Sequence, residues 1–138
     1  MTTVVMVLGV WATTSHLSSR SAIAVAPLAQ SSVEGSYAST SEIRHVMKSN
    51  GIECKEWTTA STGTRDVLER AYCDTSMVIS IYTDSVEAME SVEAIRNSPT
   101  RRVPNFVVGS NWSINCGSGV ELCGRLQLAL GGRMELSR

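Results

Sequence analysis

Polar and apolar positions along this chain follow a helical period in three places and a two-residue period between them. Behind Ser39-Thr40-Ser41-Glu42, the apolar residues Ile43, Val46 and Met47 recur at helical intervals, the spacing of a helix with one buried face. The tetrad itself is a capping box: a hydroxyl accepts from the free amides of the first turn while the glutamate reaches back. Asn50-Gly51 supplies the stop, since glycine takes positive φ at a helix C-terminus without a Cβ clash. Ile52 can then fold back onto the last turn. A second helix is predicted to open at Asp84, with Glu87 as its box partner. Val86, Met89, Val92 and Ile95 make its apolar side, and Glu87, Glu90 and Glu93 an acidic, solvated one. Ser98-Pro99 ends it, because the residue before proline avoids helical angles. A third helix opens at Ser118 with Glu121, turns Val120, Cys123, Leu126 and Leu130 one way, and stops at Gly131-Gly132.

Between the helices the period shortens. Met77 to Thr83 (MVISIYT) is apolar and β-branched and reads as a central strand,. Phe106 to Val108 and Trp112 to Cys116 read as a hairpin, with turn chemistry at Gly109, Ser110 and Asn111,. Ile52 to Thr58 reads as a further strand. Thr64 to Cys73 admits two readings: Val67, Leu68, Ala71 and Tyr72 can line a helix, while Leu68, Arg70 and Tyr72 alternate as in a strand. The second half suits a strand, hairpinned to the next through Asp74-Thr75-Ser76. The order is α-β-β-β-α-β-β-α. It predicts an α+β domain, with a mainly antiparallel sheet of about four to five strands and three helices packed on one side. The domain spans 39–132, and 133–138 reads as a C-terminal tail.

A chain of 138 residues suits a single domain,. Its first apolar stretch, Val4 to Ala12, is far short of the ~20 residues of a membrane-spanning helix. The length is that of the apolar region of a secretory signal. Ala22-Ile23-Ala24 and Ala24-Val25-Ala26 offer small residues at the cleavage spacing. Residues 1–26 therefore read as a signal peptide and 27–38 as a linker; the alternative for Val4 to Trp11 is a buried N-terminal strand. Export also fits the cysteines: four, an even number, all beyond the leader, as a disulfide framework in an oxidising compartment requires. Cys54 with Cys73 and Cys116 with Cys123 is the favoured pairing, because each bridge closes a local loop between neighbouring elements. The same cysteines lack the close pair of a zinc knuckle,, so no metal and no cofactor is expected.

Net charge is -1, from 12 basic and 13 acidic residues. A nucleic-acid surface needs a concentrated basic excess, whereas the tight basic pair here is Arg101-Arg102, with Arg96 nearby. No nucleic-acid partner is expected. Candidate chemistry is sparse. His45 falls on the polar side of the first helix, and Asp74 and Asp84 have jobs in a turn and a cap. Gly117-Ser118-Gly119 joins a strand to a helix start, where free amides can hold an anion. Trp112 alternates with Ile114 and Cys116 and so belongs in the core, while Trp57 with Tyr37 or Tyr82 forms a candidate aromatic partner surface.

Several of these residues also resemble a family. Gly51-Ile52-x-Cys54, a later Cys73 before an apolar strand, Gly109-x-Asn111-Trp112-x-x-Asn115-Cys116 and Leu130-Gly131-Gly132 are similar to the small secreted or lipid-anchored proteins of actinobacteria and their bacteriophages. The resemblance covers about Ser39 to Gly132. It implies export rather than an activity. No cysteine lies in or just after the leader, so a lipid anchor is not expected.

The expected function is an exported, non-enzymatic binding or interaction module. It would be secreted or associated with the cell envelope, and its partner would be a protein or an envelope component. One alternative is a small-molecule or anion-binding domain using Gly117, Ser118 and Gly119. Another, implied by the resemblance, is a phage-type envelope or superinfection-exclusion protein.

Overall fold

The computed structural model describes residues 35–62, 66–99 and 102–137. The stretch read as a leader, and 27–34 of the linker, lie outside the described residues. Helix α1 (Thr40–Ser49) begins as its capping box dictates: the Ser39 hydroxyl accepts from the Glu42 amide, and the Glu42 carboxylate accepts from the Ala38 amide. It closes at Gly51, whose φ is 71°. The Ile52 amide then donates back to the Met47 carbonyl, so that Ile52 joins the core. Helix α2 (Ser85–Arg96) is capped by the Asp84 carboxylate, which accepts from the amides of Val86 and Glu87. Helix α3 (Val120–Leu130) starts later than Ser118. Gly119 is its N-cap and no side chain bonds the first turn.

Six strands complete the order: β1 (Trp57–Ala60), β2 (Val67–Cys73), β3 (Met77–Tyr82), β4 (Phe106–Val108), β5 (Trp112–Asn115) and β6 (Arg133–Glu135). They form one sheet in the order β1-β2-β3-β5-β4-β6, antiparallel at every pairing. The domain is thus α+β and joined by two disulfides. Two further boundaries differ from the sequence reading. Residues 52–56 are not strand: Ile52 is spent on closing α1, and Cys54 is tied to Cys73. The tail supplies a strand, β6, which pairs with β4. Its Arg-Met-Glu carries two charges in three residues, too short and too polar to show a period.

Helices cover both faces of the sheet, not one. α1 and α3 enclose the larger core with Ala71, Ile79, Ile81, Val107, Trp112 and Ile114. α2 lies on the opposite face, where Ala88 and Val92 pack with Val67, Tyr82, Phe106 and Val108. Successive side chains of a strand point to opposite faces, so a central strand with helices on both sides is apolar nearly throughout, as β3 is,. α2 therefore buries a narrow stripe, with Met89 and Ile95 at its edges. Val86, expected on the apolar side, is 60% exposed.

Candidate functional site

The cystines form as the loop argument predicts. Cys54 pairs with Cys73 and Cys116 with Cys123, at Cα separations of 5.2 and 5.8 Å. Cys73, Cys116 and Cys123 are buried, so the bridges belong to the core and leave no thiol for nucleophilic or metal chemistry.

Trp112 is fully buried, and its surroundings organise one end of the sheet. Its indole N–H donates to the Gly35 carbonyl at 2.8 Å. The Tyr37 ring meets it edge-on at 5.7 Å. Asn111, in the β4–β5 turn, uses both ends of its amide on Tyr37. Its Oδ1 accepts from the Tyr37 N–H at 3.0 Å and its Nδ2 donates to the Tyr37 carbonyl at 2.8 Å. Residues 35–38, expected to be linker, are therefore docked on the domain by a side chain that imitates a strand neighbour. Burial, and then the Glu42 carboxylate, raise the Tyr37 hydroxyl above the usual tyrosine pKa.

The proposed aromatic surface does not assemble. Tyr82 is 2% exposed; its hydroxyl bonds Ser91 and Ser113 beneath α2. Trp57 packs against the other core, with the Arg44 guanidinium 4.9 Å above its ring. Tyr37 is spent on Trp112. The three rings thus lie apart, two of them on opposite faces. An interior strand in this sheet alternates between two cores, which a one-sided packing did not anticipate.

A different surface is open. α2 lies over β3, β5 and β4, and the sheet beyond it carries a cross-strand row of Thr58, Tyr72, Val78 and Asn115. Tyr72 in this row is 39% exposed. The neighbouring row holds Ala60, Arg70 and Ser80, with the Arg70 Nε donating to the Ser80 hydroxyl. Leu68 sits in a bulge between Val67 and Glu69 and is 59% exposed. The alternation of Leu68, Arg70 and Tyr72 along β2 signalled this surface, since a strand read as half-polar must show one face to water.

The Gly117-Ser118-Gly119 turn has less to offer an anion than its glycines suggest. The Gly117 amide donates to the Asn115 Oδ1 and the Gly119 amide to the Cys116 carbonyl, so two of the three turn amides are engaged. A shallow depression of about 550 Å³ beside it is lined by Arg102, Val103, Pro104, Gly117, Ser118 and Ser137. His45 stands exposed on α1. The Asp74 carboxylate accepts from the Glu56 amide, and Asp84 caps α2. The Glu87 carboxyl is raised by desolvation and by Asp66, Glu90 and Asp84, as expected of an acidic helix side. Among the described residues no group of three His, Cys, Asp or Glu side chains could hold a metal ion, and no helix is long and apolar enough to cross a membrane. Comparison with known protein families, with curated proteins and with solved structures finds no match.

Proposed function

We propose that the protein is an exported binding module that meets a protein or cell-envelope partner through the part of the sheet α2 leaves open. The observation that carries this reading is Tyr72, 39% exposed in the row between Thr58 and Val78 with Arg70 beside it. Tyrosine offers a large rigid apolar ring with a polar tip, and tyrosine and arginine are over-represented among residues that dominate binding energy. Strands hold such side chains at fixed spacing, so the surface is organised before a partner arrives. Export is supported by the two cystines, which persist in oxidising compartments. A non-catalytic role is supported by the structural work assigned to Asp74 and Asp84.

Capture of envelope and culture components by the full chain tests the reading. The native protein is expected to retain a specific component that Tyr72→Ala loses by at least roughly tenfold, the scale of a hot-spot residue. Equal capture by the two proteins would move the contact surface elsewhere. Turnover of a small molecule by the native chain would replace the binding reading with an enzymatic one.

A further inference from the structure

The two edges of the sheet are unlike each other. β6 is three residues long and carries Arg133 and Glu135, which pair with each other while Glu135 also holds Arg96. Charge and shortness are the usual means by which an edge strand is kept from pairing with another chain. β1 reads Trp-Thr-Thr-Ala: no charge, no proline, and in Trp57, Thr58 and Thr59 residue types that favour strands.

Its free hydrogen-bonding groups can be assigned. The Asp74 amide donates to the Glu56 carbonyl, so Glu56 turns its carbonyl towards β2. Alternation along an antiparallel strand then directs Thr58 and Ala60 towards β2 as well, and directs the N–H and C=O of Trp57 and Thr59 outward. No residue among those described takes up these outward groups, and β1 is the terminal strand of the sheet.

We propose that β1 pairs antiparallel with β1 of a second copy of this chain, Thr59 opposite Thr59, to give a two-fold dimer with one continuous sheet. The register matches the free groups. Thr59 exchanges both of its main-chain bonds with Thr59 of the second copy, and Trp57 stands opposite Ser61. Opposite residues share a face, as an antiparallel pair demands. The flanking charge Glu56 falls opposite Thr62 of the second copy, clear of its own counterpart. A closed two-fold contact consumes the open edge completely and stops at two subunits. It also joins the two open Tyr72 faces side by side.

Sedimentation of the full chain with both cystines intact, across a concentration series, tests this. A monomer–dimer equilibrium without larger species is expected. Thr59→Pro removes only an outward N–H, leaving the bonds from Thr58 and Ala60 to β2 in place. It should keep the circular dichroism spectrum and weaken the dimer by roughly 30-fold, the loss of two main-chain bonds across the two-fold axis. Thr59→Lys and Thr59→Glu, each opposing its own charge, should be monomeric alone and form a one-to-one heterodimer when mixed. A chain that stays monomeric to about 1 mM, or a dimer indifferent to all three substitutions, would overturn the proposal.

Discussion

Gly109 and Trp112 stand closer than a side chain on the glycine would allow. A Cβ on Gly109 would lie 2.0 Å from the Nε1 of Trp112, inside the indole ring, so no side chain fits until the ring leaves its site. The ring cannot leave cheaply: it is buried, bonded to Gly35 and packed by Tyr37. Gly109→Ala is expected to lower unfolding stability by about 2–4 kcal/mol, within the overpacking and lost-packing range, measured by urea denaturation. Gly124 supplies the contrast. It sits inside α3 with open space around its Cβ position, so Gly124→Ala should raise stability by about 0.5–1 kcal/mol through helix propensity alone. Glycine content says nothing of this difference; it depends on what stands opposite.

Among the elements, α3 is fixed at its start by a bond rather than a cap. No side chain bonds its first turn, but Cys116, the residue after β5, is joined to Cys123, the fourth residue of the helix. The bridge closes a loop of sequence separation 7, against 19 for Cys54–Cys73. By loop entropy the shorter loop contributes about 2.4 kcal/mol and the longer about 3.2. Replacing Cys116 and Cys123 together by alanine should therefore cost less in urea unfolding than replacing Cys54 and Cys73. It should also remove hydrogen-exchange protection first at the start of α3. Both pairings were legible because each is local. All three helices were legible too, since Ser39, Asp84, Gly51 and Gly131 announce ends by chemistry that needs no tertiary partner. β6 was not, because three residues carry no period and its place depends on β4, which is distant in sequence.

At the level of the whole molecule, the sheet order and the docking of 35–38 are what turn separate elements into one domain. Neither could be read along the chain. The two-sided packing was hidden because α2 shows Val86 to water while burying a stripe no wider than Ala88 and Val92. The Asn111–Tyr37 contact joins positions 74 apart in sequence. Tyr37 also makes the domain sensitive to base. Its folded pKa is raised, by burial first and Glu42 second. The neutral phenol is thus favoured in the folded state, and that contribution is complete below the unfolded value of about 10 and lost as pH rises through the folded one. Thermal unfolding between about pH 9 and 11 should show a fall in stability that Tyr37→Phe diminishes, at the expense of the Leu130 bond.

The Asn111 amide has a chemical fate beyond holding Tyr37. Asn111-Trp112-Ser113 is an acceptor sequence for N-linked sugar,, yet both ends of that amide are occupied, Trp112 is buried, and the Ser113 hydroxyl lies inside against Tyr82. In the folded chain a sugar on Asn111 would share the Nδ2 atom that donates to Tyr37, next to a Trp112 and a Ser113 that are buried,. A secretory pathway that attached a glycan before the hairpin closed would place the sugar beside the Tyr37 main chain, where the docking of 35–38 would have to accommodate it. Expression in a glycosylating host is thus expected to loosen the hold of 35–38 on the Trp112 pocket in the fraction that carries the sugar.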